Sequence, residues 1–209
     1  PVLLVRYAEI HLKGLNRPFF EKSLVHRIEL ALRPIGADVV REQGRIFVYG
    51  VPQDQLPAAA DKLSRVFGIH SVSPAVSCEK VWEDIVEAAY TLVEARLAGA
   101  EHLSFKVMSR RSDKRFPMRS EDICRTLGGL LLERFPQLSV DVHKPDLYVG
   151  VEIRQNRAFV YADEIAGVGG MPVGCNGHAM LLISGGIDSP VAGYMIAKRG
   201  VRISAVHFY

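Results

Sequence analysis

Apolar positions over the first 78 residues alternate between short runs and helical stripes. Residues 2–7, Val-Leu-Leu-Val-Arg-Tyr, form a short apolar run that predicts a buried strand. A polar loop over 9–17 leads to Pro18, a residue suited to the first turn of a helix. Phe20, Leu24, Ile28, Ala31, Leu32 and Ile35 then recur at helical spacing until Gly36 stops the run. Two short apolar stretches, 39–41 and 46–49, flank a Glu-Gln-Gly turn and predict a hairpin. Leu56, Ala59, Ala60, Leu63, Val66 and Phe67 predict a second amphipathic helix, ended by Gly68, and 71–78 reads as a strand. Strand-helix-strand-strand-helix-strand is the ferredoxin-like order.

A second pattern starts near Val81. A helix through about Leu97 would bury Val81, Ile85, Ala88, Ala89 and Leu92. A strand over 103–108 feeds a basic loop, and Ile123, Leu127, Leu130, Leu131 and Phe135 mark the next helix. Strands over 147–153 and 158–161 turn at Gln155-Asn156. The Gly-rich stretch 167–177 reads as a linker or mobile loop. After it the pattern becomes strand (180–183), tight loop, helix (190–199), Gly200 and strand (203–208), one βαβ unit of a parallel sheet. The fold class is therefore α+β followed by α/β.

Charge changes the picture only through its distribution. Net charge is +3 over 209 residues, yet Lys106, Arg110, Arg111, Lys114, Arg115 and Arg119 fall in a fourteen-residue window with one acid, Asp113. Such a window is either a solvated loop or a phosphate-binding face, and its few acids together with Phe116 and Met118 favour the second. Three widely spaced cysteines, Cys78, Cys124 and Cys175, give no zinc spacing and no disulfide framework, which fits a reducing cytoplasm. No apolar run reaches the 18 residues a membrane helix needs, and no leader precedes the first strand. The expectation is a cytoplasmic protein with no membrane association.

Chemistry concentrates in Ser184-Gly-Gly-Ile-Asp-Ser-Pro190. A strand-to-helix turn aims free backbone N–H groups and the positive end of a helix at the crevice beyond the strand. Gly185 and Gly186 let an anion approach the backbone, Ser184 and Ser189 add hydroxyl donors, and Ser189-Pro190 suits a cap followed by a first-turn proline. Asp188 would repel phosphate unless it held a cation, so Mg²⁺ is expected there. The same residues would also make an ordinary strand-to-helix turn. A P-loop is excluded, because no GxxxxGK[ST] spacing is present.

The loop resembles the PP-loop of N-type ATP pyrophosphatases. With Lys198-Arg-Gly-Val201 and Ala205-Val-His-Phe208, and upstream Lys13-Gly14, Asn16-Arg17, Phe67-Gly-Ile-His70, Phe116-Pro-Met-Arg119, Val140-Asp-Val-His143 and Gly169-Gly170, the chain resembles the tRNA 4-thiouridine synthetase family over nearly its whole length. The resemblance implies a ferredoxin-like region at 1–57 whose last elements, 58–78, merge with a tRNA-gripping THUMP domain at 58–165. A linker at 166–177 and the start of a PP-loop domain at 178–209 would follow. It implies ATP-dependent thiolation of the uridine at tRNA position 8, with persulfide sulfur from a cysteine desulfurase, and sulfur supply for the thiamine thiazole through a sulfur-carrier protein. Carried over by position, Leu182, Ile183, Ser184, Gly185, Gly186, Asp188, Ser189, His207 and Phe208 would contact ATP. Asp188 would be the catalytic and Mg²⁺-holding residue, and the six cations between Lys106 and Arg119 would contact tRNA. The family's sulfur-carrying cysteine would lie beyond Tyr209.

Two rival readings stay open at this stage: a PP-loop ligase acting on a small metabolite, and an RNA-binding module without ATP chemistry. One βαβ unit cannot bury a core, since stable sheets generally need three or more strands or outside cover. Residues from about Gly167 onward should then be poorly protected unless they pack on the preceding region, or on the partner in a homodimer.

Overall fold

The computed structural model describes residues 1–42 and 44–207. It divides into two compact units, residues 73–163 and residues 2–72 together with 164–209.

In the unit formed by the two ends, β1 (Val2–Arg6), α1 (Arg17–Leu32), β2 (Asp38–Glu42), β3 (Arg45–Tyr49), α2 (Leu56–Ser64) and the start of β4 (Ser71–Cys78) follow the expected ferredoxin-like order. The middle strand β3 pairs antiparallel with β1 (Leu4↔Phe47) and with β2 (Val40↔Phe47). Leu24, Ile28 and Leu32 of α1 and Ala59, Ala60 and Leu63 of α2 form one core with Leu3, Val5, Ile46 and Val48. Their three-to-four-residue spacing puts each set on one helix face, which is why the stripes were legible in the sequence.

One charged side chain of α1 points inward. Glu21, 8% exposed, accepts hydrogen bonds from Arg17 Nε at 2.7 Å, Arg41 Nη1 at 2.9 Å and the Tyr7 hydroxyl. Burial pushes the Glu21 carboxyl up, but the Tyr7 and Arg17 hydrogen bonds and the charges of Arg17 and Arg41 outweigh it, and the net shift is downward. A carboxylate depressed in the folded state stabilises above its unfolded pKa of about 4.3, and that contribution is lost as pH falls through the lower folded value. Thermal melts should therefore drop below about pH 4.5, and the acid loss should shrink in Glu21→Gln. Both guanidinium partners reach solvent, so the cost of Glu21→Gln at pH 7 should be about 1–2 kcal/mol, below that of orphaning a fully buried charge. An identical acid limb in the variant would rule the linkage out.

The unit of residues 73–163 contains α3 (Trp82–Leu97), β5 (Leu103–Arg111), α4 (Ser120–Arg134), β6 (Leu138–Val140), β7 (Leu147–Ile153) and β8 (Ala158–Tyr161). β5 is central, with β6 and β7 parallel on either side. β8 runs antiparallel to β7 and to the end of β4. Ile85, Ala89 and Val93 of α3 and Ile123, Leu127 and Leu131 of α4 cover Phe105, Val149, Val151 and Ile153. Three features differ from expectation. Val81, expected in the buried stripe, is exposed just ahead of α3. β6 was not foreseen, and β5 runs three residues past the expected end at 108. Ser109, Arg110 and Arg111 find partners in Val151, Glu152 and Ile153 of β7, some 42 residues away.

After β9 (Ile165–Ala166), which pairs with the start of β4, come β10 (His178–Ile183), α5 (Asp188–Lys198) and β11 (Arg202–His207). β10 and β11 pair parallel, with Ile183 opposite His207, as the βαβ pattern predicts. The stretch expected to be a linker or mobile loop is bonded to the ferredoxin-like region instead. Gly167, Val168 and Gly169 donate backbone hydrogen bonds to the carbonyls of His70 (2.7 Å), Ser64 (2.9 Å) and Ile69 (2.8 Å), and Gly68 donates to Gly169 (2.8 Å). Glycine here serves close approach, since a Cβ on Gly167 would lie 2.3 Å from the Ile69 carbonyl oxygen. The same stretch reaches the βαβ unit through Met171, whose N–H donates to the Lys198 carbonyl at 2.9 Å.

Candidate nucleotide and nucleic-acid sites

The 184–187 loop joins the carboxyl end of β10 to the first turn of α5, the place where ligands sit in parallel α/β sheets. Ser184 to Asp188 are exposed. Ser184 Oγ lies 3.3 Å from Ser189 Oγ and accepts from Gly186 N–H at 3.4 Å. A Cβ on Gly185 would meet nothing within 4 Å, and one on Gly186 only Ser184 Oγ at 3.6 Å, so the space over both glycines is open to an anion. One expectation is corrected. α5 starts at Asp188 with Ile187 as its cap and no side-chain cap bond, so Ser189 lies inside the first turn and Pro190 behind it. The chain turns into the helix one to two residues early, leaving the first-turn N–H groups without a side-chain acceptor.

Around the loop, Leu182 is exposed and Ile183 half-buried at the end of β10. His207 ends β11, and its Nδ1–H donates to the Ile183 carbonyl at 2.9 Å. The imidazole thus ties the two strand ends together, a role spacing could not reveal. Phe208 lies outside the described residues. Among the described residues no group of three or more His, Cys, Asp and Glu side chains could hold a metal. The single carboxylate of Asp188 fits Mg²⁺ only if phosphate oxygens and water complete the shell, the usual arrangement for that ion.

The six cations of the basic window separate into two sets. Arg110, Lys114 and Arg119 are exposed and make no ion pair with a described residue. Lys106 donates to the Val142 carbonyl at 2.9 Å, and Arg111 Nη1 donates to the carbonyls of Phe116 (3.1 Å) and Met118 (2.7 Å), pinning the turn after β5. Arg115 and Lys80 hold Asp113, whose carboxyl accepts Arg115 Nε at 3.0 Å and Lys80 Nζ at 2.6 Å. These bonds, with the Arg115 side chain contributing most, keep Asp113 well below the usual carboxylate range. Phe116 is buried in the core and is no stacking surface. A groove of about 700 Å³ runs along β5, lined by Phe105, Lys106, Val107, Ser109, Cys124 and Arg125 among others. Arg125 was not singled out in the sequence, where a lone cation on a helix carries no signal.

Burial disfavours the thiolate form of all three cysteines. Burial, with Asp84 next, pushes Cys78 up to about 11, and burial also raises Cys124 and Cys175. A thiol near 11 is about 0.1% thiolate at pH 8. All three should react with iodoacetamide far more slowly than glutathione does at pH 8. Fast labelling of any one in the folded protein would contradict this.

Comparison with known proteins bears on both sites. Residues 2–73 match the ThiI ferredoxin-like domain, residues 79–163 the THUMP domain, and residues 174–209 the thiamine biosynthesis protein (ThiI) family. The probable tRNA sulfurtransferase of Lachnoclostridium phytofermentans is 49% identical over 208 residues, 99% of this chain and 53% of that protein. The probable tRNA sulfurtransferase of Acetivibrio thermocellus is 48% identical over 210 residues, 100% of this chain and 53% of its own length. The chain belongs to the tRNA 4-thiouridine synthetase family. Among solved structures, a 4-thiouridine synthetase–RNA complex with bound ATP matches 100% of the chain and 52% of its own, at a TM-score of 0.84 and 38% identity. PH1313 from Pyrococcus horikoshii Ot3 matches 99% of the chain and 67% of its own, at a TM-score of 0.89 and 33% identity. The mixed α/β fold, with ferredoxin-like and THUMP domains followed by the start of the ThiI domain, is thereby established. The chain spans about half the length of the curated relatives it matches. Among the described residues no helix is long and apolar enough to cross a membrane.

Proposed function

We propose that this chain is the RNA-binding and nucleotide-loop portion of an ATP-dependent tRNA sulfurtransferase that makes 4-thiouridine at position 8. The observation that carries the reading is the open Ser184–Ser189 loop at the carboxyl ends of two parallel strands, in one chain with an unpaired basic face on the THUMP unit. Bound ATP in the RNA complex of a 38% identical relative supports it.

In this scheme the backbone N–H groups of 185–189 and the hydroxyls of Ser184 and Ser189 receive the β and γ phosphates as they separate from the α phosphate. Asp188 orients Mg²⁺, which neutralises phosphate charge when bound. Uridine O4 attacks the α phosphorus and pyrophosphate leaves. The outer sulfur of a persulfide loaded by a cysteine desulfurase then attacks C4, AMP leaves carrying O4, and a second thiol attacks the inner sulfur of the C4–S–S link, which releases 4-thiouridine and leaves a disulfide. Burial raises the Cys78, Cys124 and Cys175 thiols, which favours a sulfur carrier elsewhere in the protein. Arg110, Lys114 and Arg119 meet tRNA phosphates, with Lys106, Arg111 and Arg115 shaping that face. The same persulfide sulfur would supply a thiazole sulfur-carrier protein. Cytoplasmic location and a homodimer complete the reading.

The test is ATP–pyrophosphate exchange and 4-thiouridine formation by the full-length protein with unmodified tRNA. Exchange that is tRNA-independent and stimulated by a small metabolite would replace this reading with that of a metabolite ligase.

A further inference from the structure

The Gly-rich stretch also caps α5, and it does so at the end opposite the nucleotide loop. Met171 N–H donates to the Lys198 carbonyl at 2.9 Å, and the N–H groups of Gly174 and Asn176 donate to the Gly200 carbonyl at 2.8 and 3.0 Å. The Asn176 side-chain amide donates to the Arg199 carbonyl at 2.5 Å. Carbonyls at a helix C-terminus have no partner within the helix, so a separate segment is supplying what α5 lacks. The fit leaves no slack, since a Cβ on Gly170 (φ +81°) would sit 2.3 Å from the Lys198 carbonyl oxygen. The strap is itself anchored, because the Arg27 guanidinium on α1 donates to the Val173 carbonyl at 2.9 Å through Nε.

Among the described residues α5 also rests on β10 and β11, with Gly193 close against Leu181. Gly193 is its one buried residue, while Val191, Tyr194, Met195 and Ile196 are exposed. Besides the strap, α5 and its cap residue touch the ferredoxin-like region through the Tyr194–Phe67 ring contact and the Arg199–Glu9 ion pair at 3.2 Å. Eleven residues make a helix of roughly 16 Å, so a tilt of about 10° about its C-terminus would move the Asp188 end by about 3 Å. Misplacement of about 1 Å at a reacting centre can lower rates on the order of a hundredfold. The lever arm makes the C-terminal cap matter at the far end.

We propose that residues 170–176 are a positioning strap for the nucleotide loop, and that Asn176 is a positioning residue acting through α5 on Asp188 and Ser189. The proposal rests on the loop being the ATP site. It differs from a purely structural role because the strap's effect should be read in nucleotide kinetics and not in RNA binding.

The experiment compares full-length wild type, Asn176→Ala and Asn176→Gln in ATP–pyrophosphate exchange, tRNA binding and thermal melting. Losing one hydrogen bond and loosening the lever should lower kcat/KM for ATP about three- to tenfold in Asn176→Ala. tRNA affinity should stay within about twofold, and Asn176→Gln, which keeps an amide donor, should recover at least half of the lost rate constant. Unchanged ATP kinetics in Asn176→Ala would overturn the proposal. So would a parallel fall in ATP kinetics, tRNA affinity and melting temperature, the mark of general destabilisation. A wild type that carries out no exchange would defeat the ATP reading itself, and the strap's role with it.

Discussion

Replacing Arg110, Lys114 and Arg119 together by alanine should weaken tRNA binding by one to two orders of magnitude near physiological salt. Each phosphate contact contributes roughly 0.7–0.9 to the slope of log affinity against log salt, so removing three should flatten that slope by about 2–3. These three side chains are exposed and make no ion pair with a described residue, so the fold should survive the change. Arg111→Ala provides the contrast. That guanidinium holds the carbonyls of Phe116 and Met118, so its loss should lower the melting temperature while moving the salt slope by less than one unit. An unchanged slope in the triple variant would remove the basic face from the RNA interface. A full slope change in Arg111→Ala without destabilisation would show that its backbone bonds give way to phosphate.

Asp188→Ala in the full-length protein should lower ATP–pyrophosphate exchange by on the order of a hundred- to a thousandfold, the usual scale for removing a group that organises transition-state charge. tRNA affinity should remain within about twofold, since the residue lies in a different unit from Arg110, Lys114 and Arg119. Asp188 is exposed at the first residue of α5 and makes no side-chain bond with a described residue, so its removal should leave the melting temperature nearly unchanged. Excess Mg²⁺ should rescue Asp188→Asn in part, because a neutral oxygen ligand still binds the ion, though more weakly. Loss of exchange and tRNA binding together would indicate misfolding and would withdraw Asp188 from the nucleotide site.

The two predictions depend on the sequence in different ways. The Asp188 prediction was largely available from the string Ser184-Gly-Gly-Ile-Asp-Ser-Pro190 between an apolar strand and a helix. The choice among six cations was not. In the sequence Arg110 and Arg111 are equivalent neighbours, and only the fold sends one to solvent and the other to the carbonyls of a turn. Phe116 looked like an aromatic within a basic run and proved to be core. The spacing of the cysteines argued only against a zinc site or a disulfide framework, and the structure adds that burial raises all three thiols.

Short-range regularities were therefore readable without coordinates. The stripes of α1 to α4, the β2–β3 hairpin and the β10–α5–β11 unit are set by residues close together in the chain, and local pattern exposes them. Contacts between distant segments left no such trace. The last three residues of β5 are strand because β7 pairs with them, and β6 and β9 are too short to show a period. Gly167 and Gly170 read as flexible punctuation, because glycine at close backbone approach and glycine in a mobile loop look alike until the facing carbonyl is known. That stretch caps a helix about 25 residues further along, a fact held in the meeting of two backbones, where side-chain pattern has nothing to report.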